Sequence, residues 1–133
     1  MPPATSPMRR STVCALAFAA LAVVAPFSVR GVACGHDLTF HMNSWMEVAQ
    51  QWREGIVYPR WAEYANYGSG EPRFLFYPPL SWILGGALGS FLPWTVVPAA
   101  FAGCAVFFAG LAMHKMAREW FPEPDATLIA TAY

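Results

Sequence analysis

The longest apolar stretch of the chain runs from Phe74 to His114 and contains no Asp, Glu, Lys or Arg. As a single helix it would be roughly 60 Å long at ~1.5 Å per residue, whereas the hydrocarbon core of a bilayer is about 30 Å thick. Proline removes a backbone donor and ends or kinks a helix. We therefore predict a transmembrane helical hairpin over 79–114 that turns back near Pro93.

A second apolar segment, 12–29, follows Arg9 and Arg10 and is about long enough to cross a bilayer. We interpret it as the first transmembrane helix, preceded by a cytoplasmic tail over 1–11, because arginines before a first span favour a cytoplasmic N-terminus. The same pattern is compatible with a cleavable signal peptide that ends in the small residues of 31–34.

The segment 30–78, between these apolar stretches, is predicted to be an extracytoplasmic loop. Its first half carries apolar residues at spacings of three and four, namely Leu38, Met42, Trp45, Ala49, Trp52 and Ile56. That spacing predicts an amphipathic helix over 38–54, stopped by Gly55. We expect Trp45 and Trp52 on its buried or membrane-facing side. Tryptophans of such helices commonly lie flat in the membrane interface, and this is our interpretation of both.

The remainder of the chain, 115–133, is predicted to be an interfacial segment followed by the start of a further span. We therefore expect the chain to be the N-terminal part of a longer protein. The predicted fold class is all-α, with polytopic transmembrane helices and an extracytoplasmic juxtamembrane helix and loop between the first and second spans.

The composition supports a membrane protein. Apolar residues make up 56% of the chain and charged residues 12%, against roughly 25% charged residues in soluble domains. The formal net charge is zero, so nothing in the composition indicates a nucleic-acid partner. The three cysteines do not form a disulfide framework.

Two polar residues close to the first span are candidates for chemistry. Asp37 and His41 are four residues apart, which places them on one face of a helix. A carboxylate and an imidazole in this arrangement could act as a general-base pair or contribute to a divalent metal site. The alternative is a helix start in which Asp37 is the N-cap. Beyond this possible divalent metal, the sequence does not identify a cofactor.

Arginines share the predicted loop with aromatic residues, which are Tyr58, Trp61, Tyr64, Tyr67 and Tyr77. Arginine binds phosphate bidentately, and aromatic faces stack on sugars or hold cations. Beside a membrane this mixture suits a polyprenyl-phosphate or a phospholipid head group. Arginines that extend towards the membrane interface are the alternative. The candidate substrate-binding residues are His36, Arg60, Arg73 and Tyr77.

Short motifs occur at intervals through the loop, namely His36-Asp37, His41, Arg53-Glu54-Gly55, Tyr58-Pro59-Arg60-Trp61, Gly68-Ser69-Gly70 and Phe76-Tyr77-Pro78-Pro79-Leu80. A first span, an acid, a juxtamembrane helix and Pro-Pro-Leu before the next apolar segment resemble the start of a GT-C-type glycosyltransferase. The motifs more closely resemble a group of large uncharacterised bacterial membrane proteins, some labelled 6-pyruvoyl-tetrahydropterin synthase-related.

This resemblance implies a function and a site. GT-C enzymes are polytopic proteins that take sugars from polyprenyl-phosphate donors, and they place a catalytic acid in the first outer loop, where Asp37 stands. That acid deprotonates the acceptor or helps to bind a metal. The implied protein is a glycosyltransferase-like component of the cell envelope in the bacterial cytoplasmic membrane, with membrane lipid and a polyprenyl-phosphate sugar donor as partners. The alternative is a non-enzymatic polytopic protein for transport or envelope assembly.

Overall fold

A computed structural model describes residues 8–32, 35, 37–121, 123, 127, 129 and 131. These residues are mostly helical and include no strand, which confirms the all-α class. The helices are α1 (Arg10–Arg30), α2 (Leu38–Arg53), α3 (Ala65–Gly68), α4 (Arg73–Phe76), α5 (Pro79–Phe91) and α6 (Val97–Trp120). The chain divides into two compact units, one of Met1–Val29 with Ala102–Tyr133 and one of Arg30–Phe101.

Two of the described helices are long and apolar enough to cross a membrane, over Arg10–Phe27 in α1 and Val97–Trp120 in α6. Large apolar side chains on α1, such as Phe18 and Leu21, are exposed. Exposure of such side chains is unfavourable in water and favourable in lipid. These two helices are therefore the segments of the described chain that suit a bilayer.

Within the first unit, small residues of α6 face branched residues of α1. A Cβ built on Gly110 would lie 2.8 Å from Leu16 Cδ2, and one built on Gly103 would lie 3.7 Å from Val24 Cγ1. The earlier residue of α1, Leu16, meets the later glycine of α6, Gly110. The two helices therefore run antiparallel.

Helix α5 lies where the first arm of the hairpin was predicted, and its role as a membrane span stays a prediction. It has 13 residues, or about 20 Å at ~1.5 Å per residue, which is short of the about 30 Å of a bilayer core. Helix α5 packs against α2 through Gly85 and Gly86, while its Leu80 and Phe91 are exposed. A short apolar helix of this kind is typical of a core or interfacial segment rather than a span.

The helix break expected near Pro93 is present. Helix α5 ends at Phe91 and α6 begins at Val97. Helix α6 then continues through the predicted interfacial segment to Trp120. Of the further span predicted near the end of the chain, only Thr127, Ile129 and Thr131 belong to the described residues.

Helix α2 forms where the apolar stripe predicted it and ends in a Schellman motif. Gly55 adopts a left-handed conformation with φ of +88°. Its N–H bonds to the Trp52 carbonyl at 3.1 Å, and the Ile56 N–H bonds to the Gln51 carbonyl at 2.9 Å. These two bonds satisfy carbonyls that the end of a helix otherwise leaves without partners. Gly55 is thus the stop that the sequence predicted.

Trp45 lies in the protein core, so the interpretation of this residue as an interfacial tryptophan is wrong. It is 3% exposed. The core of the second unit consists of Trp45, Val48, Ala62, Phe74, Trp82 and Val97. Trp52 is half-buried, and its indole N–H donates to the Val57 carbonyl at 3.0 Å. Packing of α5 against α2 is the reason, because it covers the apolar stripe with protein.

The polar side of α2 is covered as well. Ser44, Glu47 and Gln51 are all buried. Gln51 Nε2 donates to the Trp61 carbonyl at 2.8 Å, and Glu47 Oε1 accepts from the Tyr64 backbone N–H at 2.8 Å. The loop after α2 therefore lies on this helix, and both sides of α2 contribute to the second unit.

Candidate functional site

The guanidinium of Arg73 is held in place by three neighbours. Its Nε donates to Glu71 Oε1, its Nη1 donates to Ser44 Oγ at 2.9 Å, and its Cζ lies 4.2 Å from the centre of the Phe40 ring. The Arg73 side chain is 10% exposed. A guanidinium carries five N–H groups, so these two hydrogen bonds leave further donors on a fixed cation. Such a group is suited to bind an oxyanion.

Arg73 forms part of the wall of a small cavity of about 220 Å³, which we call the aromatic pocket. Its lining residues are Phe40, His41, Ser44, Trp45, Arg73, Phe74, Tyr77, Pro78, Ser81 and Trp82. The pocket lies between α2, α4 and the start of α5, so all of its walls belong to the second unit. Three of the predicted site residues, His41, Arg73 and Tyr77, are brought together here.

Two tryptophans of this pocket have indole N–H groups without partners. Nε1 of Trp45 and Nε1 of Trp82 are buried and make no hydrogen bond in the described part of the protein. Trp45 is 3% exposed and Trp82 is 2% exposed. A buried donor is normally satisfied, so these two indoles are exceptions to the usual pattern.

His41 is surrounded by aromatic rings. Its imidazole stacks on Trp45 with centroids 6.2 Å apart and an interplanar angle of 27°. The Phe40 ring meets it edge-on at 5.6 Å and 78°. His41 is therefore held among aromatic rings at the wall of a largely apolar cavity.

Asp37 occupies the N-cap position of α2, but its side chain makes no capping hydrogen bond. The helical bond at this point is the backbone one from His41 N–H to the Asp37 carbonyl, at 3.0 Å. The interpretation of Asp37 as the N-cap at the start of a helix is therefore confirmed for its position, although its side chain does not bond to the helix end. The residue is exposed and lies one helical turn before His41, outside the lining of the aromatic pocket.

The other predicted substrate-binding residues separate into two groups. Tyr77 packs against Phe40 with ring centroids 5.0 Å apart, at the end of α4. Arg60 is exposed and lines neither of the two cavities found in the second unit. His36, which was also predicted to bind substrate, is outside the residues that the structure describes. The pocket therefore gathers only part of the predicted site.

A second cavity, the polar cavity, has a volume of about 450 Å³ and shares Arg73 with the aromatic pocket. It is lined by Asn43, Met46, Glu47, Gln50, Arg53, Tyr64, Ala65, Arg73 and Trp94. Side-chain amides, two arginines and one acid face aromatic rings in this cavity. This combination is able to bind a ligand rich in hydroxyl groups or charge.

Glu47 is the acid of the polar cavity, and sequence analysis did not select it. Burial raises the pKa of Glu47, while hydrogen bonds from the backbone N–H groups of Tyr64 and Glu63 and the charge of Arg73 act in the opposite direction. A signal for it exists in the sequence, because Ser44, Glu47 and Gln51 form a polar stripe at the helical spacings of three and four. All three residues of that stripe are buried.

The pKa of Glu71 is shifted in the opposite direction to that of Glu47. Its hydrogen bond from Arg73 lowers the pKa of its carboxyl group. Glu71 therefore stays ionised and holds the arginine between the two cavities. Among the described residues, no group of three or more His, Cys, Asp and Glu side chains is placed to hold a metal ion.

The site as a whole is thus a fixed arginine between an aromatic pocket and a polar cavity with one buried acid. Comparison of the chain with protein-family models, with curated proteins and with solved structures found no match.

Proposed function

We propose that this chain is part of a membrane-embedded, glycosyltransferase-like protein that uses a polyprenyl-phosphate-linked sugar donor. The observation that carries the proposal is Arg73, a fixed and largely buried cation on the wall of an aromatic pocket. A donor of this class has a phosphate for the arginine, an apolar chain for the aromatic rings and a sugar for the polar cavity.

Several features of the described chain support a lipid-linked ligand. Two helices suit a bilayer, and large apolar side chains near the pocket, including Phe76 and Leu80, are exposed. A ligand that diffuses within a membrane would reach the pocket along such an apolar surface.

In this proposal Asp37 is the general base and His41 assists it. The acceptor hydroxyl gives its proton to the base, its oxygen forms a bond with the anomeric carbon of the sugar, and the bond from that carbon to the phosphate oxygen breaks. The leaving phosphate keeps the electron pair, and Arg73 stabilises its charge.

The proposal is tested in the full-length protein in its native membrane. Deletion of the gene is expected to change the lipid-linked sugars or glycans that mass spectrometry detects. Complementation with Asp37→Asn is expected to fail, because loss of a general base typically lowers a rate about 10²–10⁴-fold. Glu63→Gln, which changes an exposed acid of the same unit, is the matched control and is expected to complement. An unchanged glycan profile in the deletion strain would overturn the proposal.

A non-enzymatic role in transport or envelope assembly is the second candidate. The position of Asp37 favours it, since this exposed residue does not line either cavity with Arg73. Full complementation by Asp37→Asn together with failure of an Arg73 variant would support this second role. In that case the site binds a lipid phosphate without transferring a sugar.

A further inference from the structure

Helix α5 has an apolar face that no described residue covers. Leu80, Ile83 and Phe91 are exposed, and their spacing places them on one side of the helix. We call this side the outer face. The opposite side carries the buried residues Trp82, Gly85, Gly86 and Gly89. We propose that the outer face lies in the interface of a lipid bilayer, so that α5 attaches to one membrane surface without crossing it.

The packing of α1 against α6 determines where the chain between them lies. Leu16 of α1 meets Gly110 of α6, and the two helices run antiparallel. When two neighbouring antiparallel helices cross a bilayer, the end of the first and the start of the second lie at the same membrane surface. The segment 31–96, which joins α1 to α6, therefore leaves the bilayer and returns to it on one side.

The helices of this segment are too short to cross the bilayer and come back. Helix α2 has 16 residues and α5 has 13, whereas a span requires about 20. A single crossing by α5 would also place the start of α6 at the opposite surface from the end of α1. The antiparallel packing therefore keeps α5 on the side where α1 ends.

The core of the second unit places α5 beside the start of α6. Val97, the first residue of α6, is fully buried in the same core as Trp82 of α5. Helix α5 ends at Phe91, and the segment 92–96 reaches at most about 20 Å when extended. Since α6 suits a bilayer, α5 is held close to the membrane by its own chain.

The chemistry of the outer face fits lipid better than a protein partner. No Asp, Glu, Lys or Arg occurs from Phe74 to His114, whereas protein interfaces have a polar rim. Leu75 and Phe76, shortly before α5, are exposed as well and add to the apolar surface. An interfacial helix normally turns a polar face to water. In α5 that side is covered by α2 instead.

The experiment measures the depth of α5 in a bilayer. The full chain, with Cys14, Cys34 and Cys104 replaced by serine, is reconstituted into vesicles of phosphatidylcholine and phosphatidylglycerol. Each variant then carries one new cysteine with a nitroxide spin label. Electron paramagnetic resonance compares collisions of the label with oxygen, which concentrates in lipid, and with a nickel chelate, which stays in water.

Leu80→Cys, Ile83→Cys and Phe91→Cys place the label on the outer face. We expect all three to favour oxygen and to lie at a shallow depth of about 5–10 Å, as an interfacial helix does. Phe18→Cys, on the exposed side of α1, is the control for the bilayer interior and is expected to be deeper. Glu63→Cys, an exposed position in the loop, is the control for water and is expected to favour the nickel chelate.

Three results would overturn the inference. A label at Ile83 as deep as the label at Phe18 would show that α5 crosses the bilayer. Few collisions with either reagent on the outer face would show that a further helix or a second copy of the chain covers it. Preference for nickel would show that the face is open to water.

This inference is independent of the proposed function, because none of the measurements involves sugar transfer. A water-exposed outer face would leave the glycosyltransferase proposal standing. An unchanged glycan profile in the deletion strain would overturn that proposal and leave shallow labels on α5 as evidence for attachment to the membrane surface.

Discussion

Gly85 of α5 lies directly against the indole of Trp45 on α2. A Cβ at position 85 would come within 2.2 Å of Trp45 Cγ and within 2.4 Å of its Cδ1. Side chains do not tolerate such distances, so the glycine is a condition for the packing of α5 on α2. The same contact holds the Trp45 ring in the wall of the aromatic pocket.

Gly85→Ala is therefore expected to destabilise the second unit. Insertion of one methyl group into a tightly packed contact typically costs about 1–3 kcal/mol. Gly103→Ala is the control, because that position is also helical and its nearest neighbour would be 3.7 Å away. We expect this variant to gain about 0.5–1 kcal/mol from alanine's higher helix propensity. Thermal unfolding in detergent micelles measures both. Equal unfolding midpoints for Gly85→Ala and Gly103→Ala would contradict the tight packing of Gly85 against Trp45.

Gly55→Ala is expected to weaken the end of α2. The left-handed φ of +88° at this position costs an L-residue about 1–2 kcal/mol. Gly35→Ala serves as the comparison, since Gly35 has no left-handed φ and no atom near its Cβ position. Hydrogen exchange of the last turn of α2 should increase in Gly55→Ala alone. Unchanged exchange there would show that the Schellman motif is dispensable.

The two glutamates near Arg73 predict opposite effects of pH on stability. Burial raises the pKa of Glu47 above its ordinary value of 4.5, so the folded state holds this proton to higher pH than the unfolded chain. The free energy of unfolding should then fall as pH rises from 4.5 through the raised pKa. Glu47→Gln keeps an acceptor for the Tyr64 N–H and should remove this fall in chemical unfolding curves.

Glu71 provides the opposite case. Arg73 lowers the pKa of Glu71 below 4.5, so its contribution is present above pH 4.5 and is lost as pH falls through the lowered pKa. Glu71→Gln should flatten the acid side of the profile and leave the side above pH 4.5 unchanged. If both variants changed the free energy of unfolding on the same side of pH 4.5, the two pKa shifts would be contradicted.

The length of α5 predicts the membrane topology around it. Because 13 residues span only about 20 Å, we expect reporters fused after residue 60 and after residue 94 to lie on the same side of the membrane. Alkaline phosphatase, which is active outside the cytoplasm, and green fluorescent protein, which is fluorescent inside it, identify the side. Reporters on opposite sides would instead support the transmembrane hairpin predicted from the sequence.

The sequence alone determined the elements that depend on local periodicity. The stripe from Leu38 to Ile56 predicted α2, Gly55 predicted its end and Pro93 predicted the break between α5 and α6. The apolar composition of α1 and α6 identified the helices that suit a bilayer. These signals are readable because helix formation, helix ends and apolar length depend on neighbouring residues in the chain.

Only the tertiary structure decided what covers each face. The apolar stripe of α2 could face either a membrane or another part of the protein. The close approach of Gly85 to Trp45 shows that it faces α5. The polar stripe with Glu47 is buried because the loop after α2 folds onto it. Arg73 and His41 meet in one pocket although Arg60 does not join them. Long-range contacts of this kind depend on how helices pack, and helical periodicity does not encode the neighbour that a helix face will meet.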